Sequence, residues 1–76
     1  MTRDDLIEIL AEAQVDPTYY SIGGEAHEAL CLTNESDVWH VFLSERGTRH
    51  EERTFTIEDN ACTYFLKRIF QLWRPR

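Results

Sequence analysis

The stretch VWHVFLSERG, Val38 to Gly47, decides how this 76-residue chain folds. Its β-branched and aromatic residues run at strand length and end in an acid, a base and a glycine. As a strand it places Trp39, Val41, Leu43 and Glu45 on one face, and Val38, His40, Phe42, Ser44 and Arg46 on the other. The first set is the better core face, because its first three positions are large and apolar, while Glu45 falls at the rim near the turn. Glu45 and Arg46 then point in opposite directions and do not make one catalytic pair. Gly47 is expected at positive φ in the following turn, so the motif reads as a hairpin end.

Working outward, the same period of two continues in EALCLT (28–33), followed by the polar turn NESD (34–37), and in RHEERTF (49–55) beyond Gly47. This predicts a meander of antiparallel strands. YYSIGGEA (19–26) reads as a short extended piece closed by Gly23-Gly24 and leading into the sheet. Helical spacing holds at both ends of the chain. Thr2 is an expected N-cap with Asp5 three residues on, and Leu6, Ile9, Leu10 and Ala13 form a stripe that ends before Pro17. Thr56 is the expected cap of a second helix, with Glu58 and Asp59 in its first turn. The stripe of that helix is Cys62, Phe65, Leu66, Ile69, Leu72 and Trp73, with Pro75 as its stop. Two one-striped helices and one sheet imply a single α+β domain over residues 1–76, in the order α-β-β-β(-β)-α. It is an antiparallel three- to four-stranded sheet with two helices on one face, the other face left open.

Composition narrows the function. Hydrophobic residues make up 42% and charged residues 29%, which suits a folded globule rather than a disordered chain. No apolar run approaches the ~20 residues of a membrane span, and the acids of MTRDDLIEIL do not suit a signal peptide, so a cytoplasmic location with no membrane partner is expected. Cys31 and Cys62 are too few for a disulfide framework and are expected to be reduced and buried. The net charge of −6 is uneven: residues 1–45 hold ten acids against Arg3 alone, while residues 46–76 hold seven bases against four acids. Such an acidic half repels phosphate backbones, which disfavours nucleic acid as a partner and favours a basic protein surface.

No cofactor is expected. His27 and Cys31, four residues apart along an extended strand, would lie ~13 Å apart and could not share a zinc ion, even with His40 and Cys62 nearby. Gly23-Gly24 lacks the Lys and Ser/Thr partners of a phosphate loop. Neither cysteine has an environment that would activate it, and no convergent polar set suggests an enzyme. What stands out instead is Phe42 with Val38 on the uncovered sheet face, flanked by His40, Ser44 and Arg46, as at the centre of a contact patch.

YSIGGEA, EALCL, VWHVFLSERG and FTIEDNACTYFL together carry a resemblance over residues 19 to 66. The chain resembles a family of small bacterial proteins in which a W-x-V-aromatic-x-SERG strand precedes F-x-x-E-x-x-AC-x-YFL, often encoded near polymorphic or contact-dependent inhibition toxins. Aromatic residues are common in that pattern where this chain has Leu30 and Leu43, a conservative departure. The resemblance implies an immunity protein, a cytosolic binder that blocks a cognate toxin. The acids Glu8, Glu12, Glu35 and Asp37 are then the candidates for steering a basic partner, and Phe42, His40 and Arg46 for anchoring it. The competing expectation is a homodimer that buries the open face and Phe42 between two copies.

Overall fold

The computed structural model describes residues 1–73. The expected helix stop at Pro75 lies outside the described residues. The elements are α1 (Arg3–Glu12), a 3-10 turn (Pro17–Tyr19), β1 (Tyr20–Ile22), β2 (Ala29–Glu35), β3 (Val38–Glu45), β4 (Thr48–Phe55) and α2 (Glu58–Leu72). They form an α+β fold with a four-stranded sheet in the order β1-β2-β3-β4.

Each end of α1 is closed by its own sequence. Asp5 N–H donates to Thr2 Oγ1 at 3.2 Å and Thr2 N–H to Asp5 Oδ2 at 3.0 Å, the reciprocal capping box. At the other end Gln14 takes a left-handed φ of 57°. Its N–H reaches Ala11 O at 3.1 Å while Val15 N–H reaches Leu10 O at 3.1 Å, a Schellman motif formed without glycine. The motif turns Val15 inward, so it joins Leu6 and Leu10 in the core. Ala13, expected on the buried stripe, is exposed instead.

Two antiparallel hairpins build most of the sheet. Ser36 and Asp37 have φ of 54° and 65°, and Arg46 and Gly47 have φ of 51° and 77°. Paired positive φ values are the mark of type I′ turns, whose twist matches that of the flanking strands. SERG is therefore a hairpin end. Apart from its own chain neighbours, nothing lies within 4 Å of where a Cβ on Gly47 would sit, so backbone conformation is what opposes a side chain there. Gly47→Val should destabilise by about 1–2 kcal/mol. A melting curve unchanged from the parent would contradict this account of the turn.

The first strand departs from the expected meander. β1 pairs parallel to β2, with Tyr20 opposite Leu30 and Ile22 opposite Leu32. Parallel neighbours oblige the chain to return to its starting end before β2 begins. Residues 23–28 make that return, and Ala26 packs on Ala29, Cys31 and Phe42, away from the helices.

Both helices cover the opposite face. The main core joins Leu6, Leu10 and Val15 to Leu30, Leu32 and Val41 and to Ala61, Cys62, Phe65 and Ile69 of α2. Trp39 and Leu66 pack against its edge, while Leu43 is only half-buried. Leu72, expected on the buried stripe, is exposed. The cap of α2 also differs: Ile57 holds the N-cap position with no side-chain bond, so Thr56 does not cap. Glu58 is used across the helix pair instead, accepting Arg3 N–H at 2.9 Å.

Candidate interaction face

The face that the helices leave uncovered is organised by Arg49. Its guanidinium lies 4.1 Å from the Phe42 ring centroid and roofs it. Three glutamates from three segments meet the same group: Nη2 is 3.0 Å from Glu25 Oε1, and Nη1 is 2.8 Å from Glu52 Oε2 and 3.2 Å from Glu35 Oε2. His40 Nδ1 lies 3.0 Å from Glu52 Oε2. An ionised carboxylate can only accept, so the imidazole proton in this contact sits on Nδ1. Thr33 Oγ1 donates to Glu35 at 2.6 Å. One cation thus stands among three carboxylates, and the face keeps a surplus of negative charge.

A bulge makes this convergence. Arg49 and Glu52 are three residues apart, which in a regular strand would put them on opposite faces. Val41 pairs with Arg53 but Leu43 pairs with His50, so β4 carries one extra residue beside Phe42. Glu51 has a φ of 53° there. The phase slips by one: Arg49 and Glu52 share the uncovered face. Glu51 meets Arg68 of α2 at 2.9 Å.

Several expected site positions change. Phe42 is 0% exposed, so the reading of it as the exposed centre of a contact patch is corrected. The return loop and Arg49 cover it, which a simple meander would not have done. Arg46 lies in the turn rather than beside His40, and lines a shallow depression with Glu28, Leu43 and Glu45. Glu8 and Glu12 are exposed on α1, in the helical layer, so they do not share a face with His40. Glu35 and the exposed Asp37 lie at the β2–β3 hairpin, where Glu35 joins the Arg49 cluster. His27 falls in the exposed turn before β2, while Cys31 and Cys62 are buried and free. Among the described residues no three His, Cys, Asp or Glu side chains are placed to share a metal ion, and no helix is long and apolar enough to cross a membrane. Sequence reasoning missed Arg49, Glu25 and Glu52; a basic residue inside an otherwise uncertain polar strand was the available signal.

Electrostatics tie the cluster to pH. Hydrogen bonds from Arg49 and then His40 hold the Glu52 carboxyl below the usual glutamate range. The Thr33 hydroxyl and then Arg49 do the same for Glu35. Thr2 lowers Asp5 and Thr18 lowers Asp16 in the same way. Carboxyls depressed in the folded chain bind protons more readily once unfolded, so their stabilisation is complete above the unfolded value and is lost as pH falls through the folded one. The melting temperature should therefore decline as pH drops below about 4.3, the ordinary glutamate value. Glu52→Gln should make that decline shallower. An equal slope in the variant would remove Glu52 from the account.

Compared with family models, with curated proteins and with solved structures, the chain gives no match. The functional reading therefore rests on the face itself and on the motif resemblance.

Proposed function

We propose that this chain is a non-catalytic immunity protein that binds and neutralises a cognate bacterial toxin domain with a basic surface. The observation that carries the reading is the uncovered sheet face, on which Glu25, Glu35 and Glu52 surround Arg49. Opposed charge accelerates encounter and selects the partner, and a basic groove built for phosphates, as in a nuclease, is the complementary shape of charge. His40 and the exposed Asp37 border the same face, whereas Glu8 and Glu12 contribute only to the long-range field. Phe42 enters indirectly, as the floor on which Arg49 is held.

The test is inspection of the neighbouring genes for a toxin domain and co-expression of the chain with its product. Growth should be rescued and the two proteins should co-purify. Association of a Glu35→Gln/Glu52→Gln double variant should be slower and less salt-dependent, with the fold retained. The competing homodimer would bury the uncovered face between two copies, although Phe42, already beneath Arg49, offers it no exposed anchor. Sedimentation at twice the chain mass, with no rescue and no co-purification, would favour it and sink the neutralisation reading.

A further inference from the structure

The return loop between β1 and β2 covers a second, smaller apolar cluster with few attachments. Ala29 is 3% exposed, and Cys31 and Phe42 are 0% exposed, although no helix lies over them. Their cover is Ala26 and the Arg49 guanidinium. Ala26 N–H donates to Cys31 Sγ at 3.5 Å, and sulfur is a weak acceptor. Ser21 Oγ donates to Gly24 O at 2.9 Å. Cys31 Sγ in turn lies 3.6 Å from Ala26 O, another weak sulfur contact. The strongest attachment among the described residues is Glu25, whose Oε1 accepts from Arg49 Nε at 3.2 Å and from Nη2 at 3.0 Å.

We propose that residues Gly24 to Glu28 form a strap, hinged at Gly23-Gly24 and latched by Glu25 on Arg49, which opens as a unit while the rest of the fold stays intact. Gly23, at a φ of 98°, is anchored to the sheet by its N–H on Leu32 O at 2.8 Å. Nothing lies within 4 Å of a Cβ built at either glycine, so the hinge has room to turn. The latch is asymmetric. When Glu25 leaves, Arg49 keeps Glu35, Glu52 and the Phe42 ring, so no charge is left without a partner. Glu25 moves into water, where a carboxylate is well solvated. Opening then loses one exposed ion pair, a few weak hydrogen bonds and part of the cover of a three-residue apolar cluster, far less than global unfolding loses. It bares Ala29, Cys31 and the part of Phe42 that Arg49 does not roof, at the centre of the uncovered face. A cation that competes with Arg49 for Glu25 would release the strap. The device stands whether or not the neutralisation reading holds.

Cys31 lies under the strap and Cys62 lies in the main core, so the two thiols report two different openings. The experiment is alkylation of the native chain by iodoacetamide, read at each cysteine by peptide mass spectrometry and normalised to its rate in urea. Cys31 should react faster than Cys62. Glu25→Gln should raise the Cys31 rate about 1.4- to 5-fold, the equivalent of an exposed pair of 0.2–1 kcal/mol, and leave Cys62 unchanged. Glu28→Gln makes the same charge change in the same loop without an ion pair to Arg49, and should leave both rates alone. Melting curves of both variants establish that the fold is retained. If Cys31 tracks Cys62 in every protein, opening is global unfolding and the strap does not exist. If the two glutamine variants behave alike, loop charge rather than the latch sets the rate, and the proposal is equally overturned.

Discussion

Replacing Phe65 with alanine should lower the unfolding free energy by about 3–5 kcal/mol, as measured by urea denaturation. The side chain is 0% exposed and sits in the one cluster that joins both helices to the sheet. A domain of this size has about 5–15 kcal/mol in total at best, so a large share of the molecules should unfold at physiological temperature. Ala61, Cys62 and Ile69 share the same helical face and cannot follow the missing ring inward without bending α2. A midpoint unchanged from the parent would place Phe65 outside the core and refute the assigned helix face.

Phe42→Ala should also destabilise, by about 3 kcal/mol, the lower part of the range for aromatic truncation. The smaller figure reflects the roof. Arg49 and the return loop can settle into part of the vacated space, whereas the sheet beneath cannot move. The loss should include the contact of Arg49 with the ring, worth about 0.5–1 kcal/mol at an exposed site. A variant that denatured like the parent would mean that Phe42 is not part of the folded interior, and that the surface of the uncovered sheet is apolar after all.

These two phenylalanines show how far the sequence could be read. Phe65 lies on a regular α-helix, and a period of 3.6 assigns its face from one dimension alone. Trp39 and Val41 follow from the period of two for the same reason, while the Thr2 cap follows from its spacing to Asp5 and the Gly47 turn from glycine's tolerance of positive φ. Phe42 was placed on the correct face by that period, but its burial depends on what crosses above it. That crossing exists because a three-residue β1 pairs parallel to β2, a long-range choice that no local pattern encodes. Arg49 was hidden by a second departure from periodicity. One extra residue at Glu51 moves Glu52 onto the face of Arg49, so residues read as alternating actually converge. Ile57 rather than Thr56 holds the N-cap of α2, and Glu58 accepts the Arg3 N–H of α1, a tertiary contact invisible from sequence spacing. Acidic surplus was legible from composition, but its division between the helical layer and the uncovered face was not.

The uncovered face is the surface proposed to meet a protein partner. Backbone hydrogen exchange, compared for the chain alone and in complex with the proposed toxin partner, tests this most directly. The account predicts new protection in β3, in β4 and in the loop at residues 23–28, with α1 exchanging as before. Protection confined to α1 and α2, or none in a complex that has demonstrably formed, would contradict it.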